Sequence, residues 1–356
     1  MRINQKKHQK LKVDVIGKEN SMKRIKNAGK GRITEKIPRK LRNFWVSRLR
    51  HSCVYKYCYK SYWYYLLHNN KLNASKKNLY FAARPNPGAG IGRQMANWIA
   101  GYWFAKKFEI KFAHIPFSSE KWEKFLDFYQ GEKTVSELKK EGYKVVRVQK
   151  FDEDNEQEVS RIQNIITAYA GEKVVFLAEQ DQFYHDQYGV CKDIQEKFYS
   201  APCRKEDKLI YDNNNFNIAV HIRRGDIVQN LSEQNKNITM RFQSNTYFIN
   251  ALKMALDYCK DKKDIHIYLF SQGVESEFLE FKKFQNVHFC LDMGAQESFL
   301  HMVYADALIT SKSSFSYKPA LLNRGIKFVP KDFWHGYPQN SDWIQLEEDG
   351  TIKNVF

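Results

Sequence analysis

Residues 216 to 228 read Phe216-Asn-Ile-Ala-Val-His-Ile-Arg-Arg-Gly-Asp-Ile-Val228, an apolar run that ends in charged residues around a glycine. The apolar half is typical of a strand buried in a parallel sheet. Its carboxyl end carries His221, Arg223, Arg224 and Asp226, and open α/β sheets bind their ligands beyond the carboxyl ends of the strands. Because arginine stays charged and binds phosphate through two parallel hydrogen bonds, the stretch predicts a phosphate site at that edge.

Predicted strands and helices alternate on both sides of this stretch. The strands are predicted at 78–83, 109–113, 143–148 and 173–177, and then at 217–222, 265–270, 287–289, 307–310 and 327–329. The helices are predicted from 93 to about 107 and at 156–170, 246–259, 275–284, 296–304 and 317–322. Short apolar strands between helices indicate parallel sheets covered on both faces. We therefore predict an α/β protein with two Rossmann-like domains, at 78–208 and 209–356, that face one another across a cleft.

The net charge of +18 is concentrated in a predicted extension at residues 1–77. Residues 1–80 hold 22 Lys and Arg against 3 Asp and Glu, whereas the rest of the chain is nearly neutral. Between 44 and 67, aromatic residues alternate with basic ones, which suits either an anionic membrane surface or a helix packed against the body of the protein. We expect no nucleic-acid partner, because no recognised binding module accompanies the basic residues.

The sequence also bears on the cellular compartment. Six cysteines without a CxxC pair give neither a zinc pattern nor a disulfide framework. No apolar run reaches the roughly 18 residues that a membrane span needs, and the first 30 residues lack the apolar core of a signal peptide. We expect a cytoplasmic protein, either free or held by its basic extension at the inner face of the cell membrane.

A second candidate ligand loop follows the first predicted strand and contains Gly88, Gly90 and Gly92. Glycines let backbone amides approach a ligand closely, and the N-terminus of the following helix favours negative charge. The G-x-G-x-G spacing does not fit the G-x-G-x-x-G dinucleotide pattern. Gln94 and Asn97 are candidates for hydrogen bonds to sugar hydroxyls, while an ordinary strand-to-helix turn is the alternative interpretation.

A third block, Ser313-Ser-Phe-Ser316, lies between a predicted strand and a predicted helix. Its hydroxyls and amides can cap that helix or hold a phosphate. Phosphate contact is the favoured interpretation because Arg223 and Arg224 are expected at the end of a neighbouring strand.

The three blocks resemble the fucosyltransferases and are most similar to the bacterial α-1,2-type enzymes of glycosyltransferase family 11. Gly88-Ala-Gly-Ile-Gly-Arg-Gln-Met-Ala-Asn-Trp98 is similar to the glycine-rich opening of that family. His221-Ile-Arg-Arg-Gly-Asp226 matches its His-x-Arg-Arg-Gly-Asp block, and Ser313-Ser-Phe-Ser316 matches its Ser-Ser/Thr-Phe-Ser block. The resemblance runs from about residue 79 to 335.

Three positions depart from the family pattern. Arg93 replaces the usual Asn, Ile227 replaces an aromatic residue, and Tyr317-Lys-Pro319 replaces Trp-Trp-Gly. These departures leave the donor site intact, whereas the acceptor and the linkage stay open.

The resemblance implies a GT-B fold and an inverting, metal-independent transfer of L-fucose from GDP-β-L-fucose to a hydroxyl of a glycan acceptor. It places the reaction in bacterial surface-polysaccharide or lipid-linked oligosaccharide synthesis. The expected partners are the nucleotide-sugar donor and the glycan acceptor, with no cofactor. The donor-binding residues that it implies are Gly88, Gly90, Gly92, Arg93, Gln94, Asn97, His221, Glu297, Ser313, Ser314, Phe315 and Ser316.

The chemistry assigns roles to some of these groups. Arg223 and Arg224 would neutralise the pyrophosphate as the sugar departs. Glu297 is the candidate reader of guanine, whose N1 hydrogen and exocyclic amine one carboxylate can accept, although a helix-dipole role is the alternative. The catalytic base is open between Asp226 and Glu233, because His221 is interpreted as a buried, hydrogen-bonded histidine.

Other interpretations are kept beside this one. Asp152-Glu-Asp154 resembles the Asp-x-Asp metal motif of other transferases, but the nearby Glu156 and Glu158 favour a solvated acidic run. No metal site is therefore predicted. The alternatives for the whole protein are a GT-B transferase for another nucleotide sugar, and an inactive transferase-like binding protein that acts through its basic arm.

Overall fold

The computed structural model describes residues 44–45, 48–68, 75–178, 185–225 and 240–352. Contacts divide the chain into two compact units, Met1–Lys60 and Ser61–Phe356. In the first unit a 3-10 helix spans Tyr55–Cys58, and the hydroxyls of Tyr55 and Tyr59 lie 3.0 Å apart. The second unit holds both sheets.

The first sheet has four parallel strands in the order β2-β1-β4-β3. The strands are β1 (Leu79–Ala83), β2 (Lys111–Phe112), β3 (Lys144–Arg147) and β4 (Val174–Ala178). The helices of this part are α1 (Lys60–Leu67), α2 (Ile91–Lys107), α3 (Glu120–Leu126), α4 (Val135–Lys140) and α5 (Glu156–Ala168). β1 and β4 are buried along their whole length, as strands covered on both faces require.

The second sheet has six parallel strands in the order β10-β9-β8-β5-β6-β7. The strands are β5 (Phe216–His221), β6 (Ile265–Ser271), β7 (Val287–Leu291), β8 (Ala307–Ile309), β9 (Ile326–Pro330) and β10 (Trp343–Leu346). Its helices are α6 (Cys191–Ser200), α7 (Asn245–Tyr258), α8 (Ala295–Tyr304) and α9 (Ser314–Leu322). The described residues of this part also contain three 3-10 helices, Gln187–Val190, Pro202–Glu206 and Glu275–Lys283.

The strand order reverses at one place in each sheet. β1 lies between β2 and β4, and β5 lies between β6 and β8. Connections that leave a strand toward opposite sides open a crevice at its carboxyl end, where α/β proteins bind ligands. The glycine loop follows β1, and the His-x-Arg-Arg-Gly stretch follows β5. Both predicted ligand loops therefore occupy the switch points of their sheets.

The largest hydrophobic core joins the two sheets. It contains residues packed on the first sheet, such as Trp98 and Phe176, together with Phe299 and Tyr317 from the second. A separate core around Val220 fills the other face of the second sheet.

The predicted α/β class is confirmed, and the predicted strands all lie within a few residues of observed ones. The predicted helix at 275–284 is a 3-10 helix with a kink at Phe278. The helix predicted from 317 begins at Ser314. The structure adds strand β10 and helices α3, α4 and α6, which were not among the predicted elements.

Helix α1 packs against the first sheet layer. The hydroxyl of Ser61 donates to the carbonyl of Arg147 at 2.8 Å, and the ring of Tyr64 stacks on Tyr169 with centroids 3.9 Å apart. This part of the aromatic segment is therefore a packed helix, although Trp63 and Leu67 remain exposed. In the described part of the chain, no helix has both the length and the apolarity that a bilayer crossing requires.

Candidate functional site

Arg224 is held by the protein itself. Arg224 is 9% exposed, and its guanidinium donates to the carbonyl of Gln243 at 3.0 Å and to Oδ1 of Asn245 at 2.7 Å. The group also lies 5.0 Å from the centre of the Phe242 ring. Burial lowers the pKa of Arg224 from its usual value. These contacts fasten the segment before α7 to the end of β5.

Arg223 lies at the amino end of a different helix. Its Nη1 donates to the hydroxyl of Ser313 at 3.3 Å. Ser313 is the N-cap of α9, and its hydroxyl accepts from the amide of Phe315 at 3.2 Å. The adjacent Gly225 has φ +61°, a left-handed conformation that turns the chain immediately after the two arginines. The two arginines therefore differ in position, and Arg223 is the one that reaches the helix N-terminus.

His221 is a buried member of the same cluster. Its Nδ1 lies 2.8 Å from the hydroxyl of Ser311. Burial, helped by the charge of Arg223, lowers the pKa of His221 to about 3. The imidazole is therefore neutral at physiological pH and supports the turn after β8.

Ser316 is buried and closes that turn. Its hydroxyl lies 3.2 Å from the carbonyl of Ser311 and 3.3 Å from the carbonyl of Ser313. The ring of Phe315 packs near His221, with centroids 5.5 Å apart. These residues shape the loop from within.

The glycine loop comes directly against this turn. A Cβ on Gly92 would lie 2.6 Å from the carbonyl oxygen of Ser314 and 2.9 Å from its Cβ. Only glycine allows this approach, and it brings the N-termini of α2 and α9 together. Gly90 is the N-cap of α2 and offers no side chain to its first amides. Gly88 has φ +84°, and a Cβ at Gly88 or Gly90 would meet nothing within 4 Å.

Of the polar residues predicted on α2, two are buried and one is exposed. Gln94 is buried, and its amide donates to Ala89 O at 2.8 Å and to Ser118 Oγ at 2.7 Å, while its oxygen accepts from the Ser118 amide. Gln94 thus organises the glycine loop. Asn97 is also buried, and its Nδ2 has no partner among the described residues. Arg93 is exposed on the first turn.

The remaining predicted residues lie farther along the sheet or outside the described ranges. Glu297 is exposed in the first turn of α8, after β7, with Asp292 just before the helix. Asp226 and Glu233, the candidate bases, fall outside the described residues.

Two organising residues were missed by sequence reasoning. Gln243 accepts from the amide of Lys312 at 2.8 Å through its side chain, and so links the Arg224 segment to the serine loop. Lys318 is fully buried and donates to Oε1 of Gln187 at 2.6 Å. Burial lowers the pKa of Lys318 well below its usual value. Lys318 lies in Tyr317-Lys-Pro319, where the sequence differs from the family pattern, and this difference was the one feature of the sequence that pointed to it.

A guanidinium and two helix N-termini thus meet where two parallel sheets reverse their strand order. Helix N-termini beside a guanidinium at the carboxyl ends of parallel strands are suited to an anionic ligand, and they define an α/β protein with a candidate anion site. The sequence profile described as "Glycosyl transferase family 11" matches residues 132–334, more than half of the chain. The chain belongs to glycosyl transferase family 11, and the predicted resemblance is confirmed. It is therefore a glycosyltransferase of the fucosyltransferase superfamily.

Solved structures with a similar arrangement include POFUT1 in complex with GDP, at 12% identity and TM-score 0.41, covering 77% of this chain and 99% of that chain. POFUT1 in complex with GDP-fucose has 10% identity and TM-score 0.44, with the same coverage. E. coli heptosyltransferase WaaC with ADP-2-deoxy-2-fluoro heptose has 9% identity and TM-score 0.38, covering 75% of this chain and 92% of that chain. A search of curated proteins gives no match.

Proposed function

We propose that this glycosyltransferase moves L-fucose from GDP-β-L-fucose to a hydroxyl of a glycan acceptor, with inversion and without a metal ion on the donor. The observation that carries the proposal is the meeting of Arg223 with the N-termini of α2 and α9. The 3.3 Å contact from Arg223 to Ser313 and the close approach of Gly92 to Ser314 bring them together.

The site suits a pyrophosphate that becomes a leaving group. Each helix N-terminus carries about half a positive charge, and Arg223 adds a full one. Preorganised charge stabilises the negative charge that grows on the diphosphate as the sugar departs. In this proposal Arg223 and the two helices supply what a divalent metal supplies in other transferases.

Arg224 and His221 are positioning residues in this scheme. Arg224 donates to Gln243 and Asn245, and His221 meets Ser311. Their side chains fix the positions of the loops after β5 and β8, and in this scheme they do not contact the donor. Glu297 is proposed as the reader of guanine from its place at the start of α8.

The acceptor is proposed to be a lipid-linked or surface glycan. Aromatic side chains on the segment 44–67 remain exposed, among them Trp45 at 54% and Trp63 at 50%. Exposed aromatic rings beside basic residues suit the headgroup level of an anionic membrane. Vesicle flotation with and without residues 1–59 tests this part separately.

Thermal stabilisation by GDP, UDP, ADP and CMP in EDTA tests the donor site. We expect a GDP-selective shift that is lost in Arg223→Ala. Arg324→Ala is the matched control, because it removes a guanidinium stacked on Tyr199 beyond the other end of α9. A shift for UDP alone, and only after a metal is restored, would refute the donor assignment.

The transfer itself is tested with GDP-β-L-fucose and a glycan library, with release of GDP as the readout. Proton NMR of the product then reports the anomeric configuration. An α-linked fucoside indicates inversion, and a β-linked one contradicts it.

A further inference from the structure

We propose that Glu153, Asp154 and His185 form a binding site for a divalent transition-metal ion such as Zn²⁺ or Mn²⁺, separate from the donor site. Glu153 and Asp154 lie between β3 and α5, and His185 follows β4. Because β3 and β4 are parallel neighbours, their carboxyl ends bring the three side chains together.

The distances suit a shared ion. One ligand atom from each of the three residues lies within 4.8 Å of the others. Nδ1 of His185 is 3.1 Å from Oδ2 of Asp154 and 3.8 Å from Oε1 of Glu153. Two ligand atoms on one tetrahedral zinc are about 3.3 Å apart, given bonds of about 2.0 to 2.1 Å. The side chains need only small rotations to meet one ion.

A buried carboxylate oxygen points independently to a cation. The Glu153 side chain is 6% exposed. Its Oε1 accepts from the backbone amide of His185, whereas its Oε2 is buried and has no hydrogen-bond partner among the described residues. An unpaired carboxylate oxygen in such a place is costly to bury. A bound cation removes that cost.

A pair between protonated His185 and Asp154 is the alternative explanation of the 3.1 Å contact. That pair leaves Glu153 Oε2 unsatisfied, which favours the ion.

The donor set selects the type of metal. One imidazole nitrogen and two carboxylates suit a borderline ion such as Zn²⁺, and the two carboxylates also suit Mn²⁺, while Mg²⁺ and Ca²⁺ prefer oxygen ligands alone. Access is open, because Asp154 lines a surface cavity of about 580 Å³. The loop is prearranged, since the amide of Asp154 donates to Oδ1 of Asp152 at 3.1 Å.

A bound ion would link the first sheet, through the residues after β4, to helix α9 of the proposed donor site. His185 lies two residues before Gln187, which is buried and accepts from Lys318 of α9. The ion would therefore hold His185 on the carboxylates, two residues from the Gln187 contact with α9.

Isothermal titration calorimetry of the chelator-treated full-length protein with ZnCl₂, MnCl₂ and MgCl₂ tests the proposal. We expect the wild type to bind Zn²⁺ and Mn²⁺ more tightly than Mg²⁺. Changes outside the ligand set of a metal already cost about 10- to 100-fold, so E153Q and H185A should each weaken zinc binding at least about tenfold. D152N is the matched control, because it removes an adjacent carboxylate while its amide oxygen can still accept from Asp154.

Unfolding temperatures give a second readout. E153Q should raise the stability of the metal-free protein, since it removes the buried charge, and should abolish stabilisation by zinc. H185A tests the site with an exposed residue whose loss leaves the fold intact. Absence of saturable binding by the wild type, or equal zinc affinity in all variants, would overturn the proposal. Binding of GDP in EDTA should be the same in E153Q and the wild type, so this site and the donor site are tested independently.

Discussion

Gly92→Ala is the most direct perturbation of the proposed site. The added Cβ would lie 2.6 Å from the carbonyl oxygen of Ser314 and 2.7 Å from its carbonyl carbon. Both atoms belong to the backbone of α9, so rotation of a side chain gives no relief. Ordinary van der Waals contact begins at 3.4 Å, so the two helix N-termini must separate by most of an ångström.

Overpacking of this kind costs about 1 to 3 kcal/mol of stability. For a chain of this size that is a fall of roughly 2 to 6 °C in the unfolding temperature. The separation also widens the anion site, so GDP affinity should fall at least about tenfold, because charge-assisted hydrogen bonds depend steeply on distance. Calorimetric titration with GDP and differential scanning calorimetry measure the two effects.

Gly90→Ala is the control for this experiment. A Cβ at Gly90 meets nothing within 4 Å, and its φ of −61° is open to any residue. Because alanine is a poorer N-cap than glycine, the stability of this variant should fall by no more than about 1 kcal/mol, without the separation of α2 from α9. Equal behaviour of the two alanine variants would refute the described contact between α2 and α9.

Three further predictions concern the charged groups. Arg223→Ala should lower kcat by about 10² to 10³ with little change in unfolding temperature. Arg224→Ala should mainly destabilise the fold, because it removes charged hydrogen bonds of about 1.5 to 3 kcal/mol each. Kinetics and calorimetry of both variants distinguish the two roles, and equal effects on kcat and on unfolding temperature would contradict them. Burial lowers the pKa of His221 from 6.5 to about 3 in the folded protein. Below pH 6.5 the unfolded state therefore binds one more proton than the folded state, and stability should fall toward pH 3. His221→Asn should reduce this pH dependence in a series of melting curves. The pKa of Glu153 is raised to about 7 by burial, so without metal the folded state holds the extra proton between about pH 4.5 and 7, and stability falls as pH rises through that window. The stability of E153Q relative to the wild type should therefore increase with pH between these values. A difference that does not change with pH would contradict the buried position of this carboxylate.

Much of the fold could be predicted because local patterns are sufficient for it. Apolar runs such as 217–222 and 265–270 have the length and β-branched composition of buried strands. The order of glycine loop, arginine stretch and serine block also identified the family. Strand β10 was missed because a run of four residues gives little pattern of its own. Helix α6 was missed although its buried Ile194 and Phe198 stand at helical spacing.

The sequence named residues for the candidate site, but it did not distinguish how each of them is positioned. The sequence treats Arg223 and Arg224 as equivalent, since nothing local distinguishes them. Contacts from Gln243 and Asn245, far along the chain, bury one of them and leave the other at α9. The acidic stretch around Glu153 was interpreted as solvated, because its approach to His185 depends on the pairing of β3 with β4. The catalytic role of each residue remains a prediction.

The sequence by itself determined the α/β class, the family and the loops proposed to meet the ligand, because periodicity and short motifs are properties of neighbouring residues. The tertiary structure decided which groups share a site. Gly92 meets Ser314, Arg223 meets Ser313, and Glu153 meets His185 only because strand order and helix packing bring distant segments together. The burial of these side chains and the distances between them set their pKa values and their accessibility. Both depend on that packing, and a local sequence pattern does not contain them.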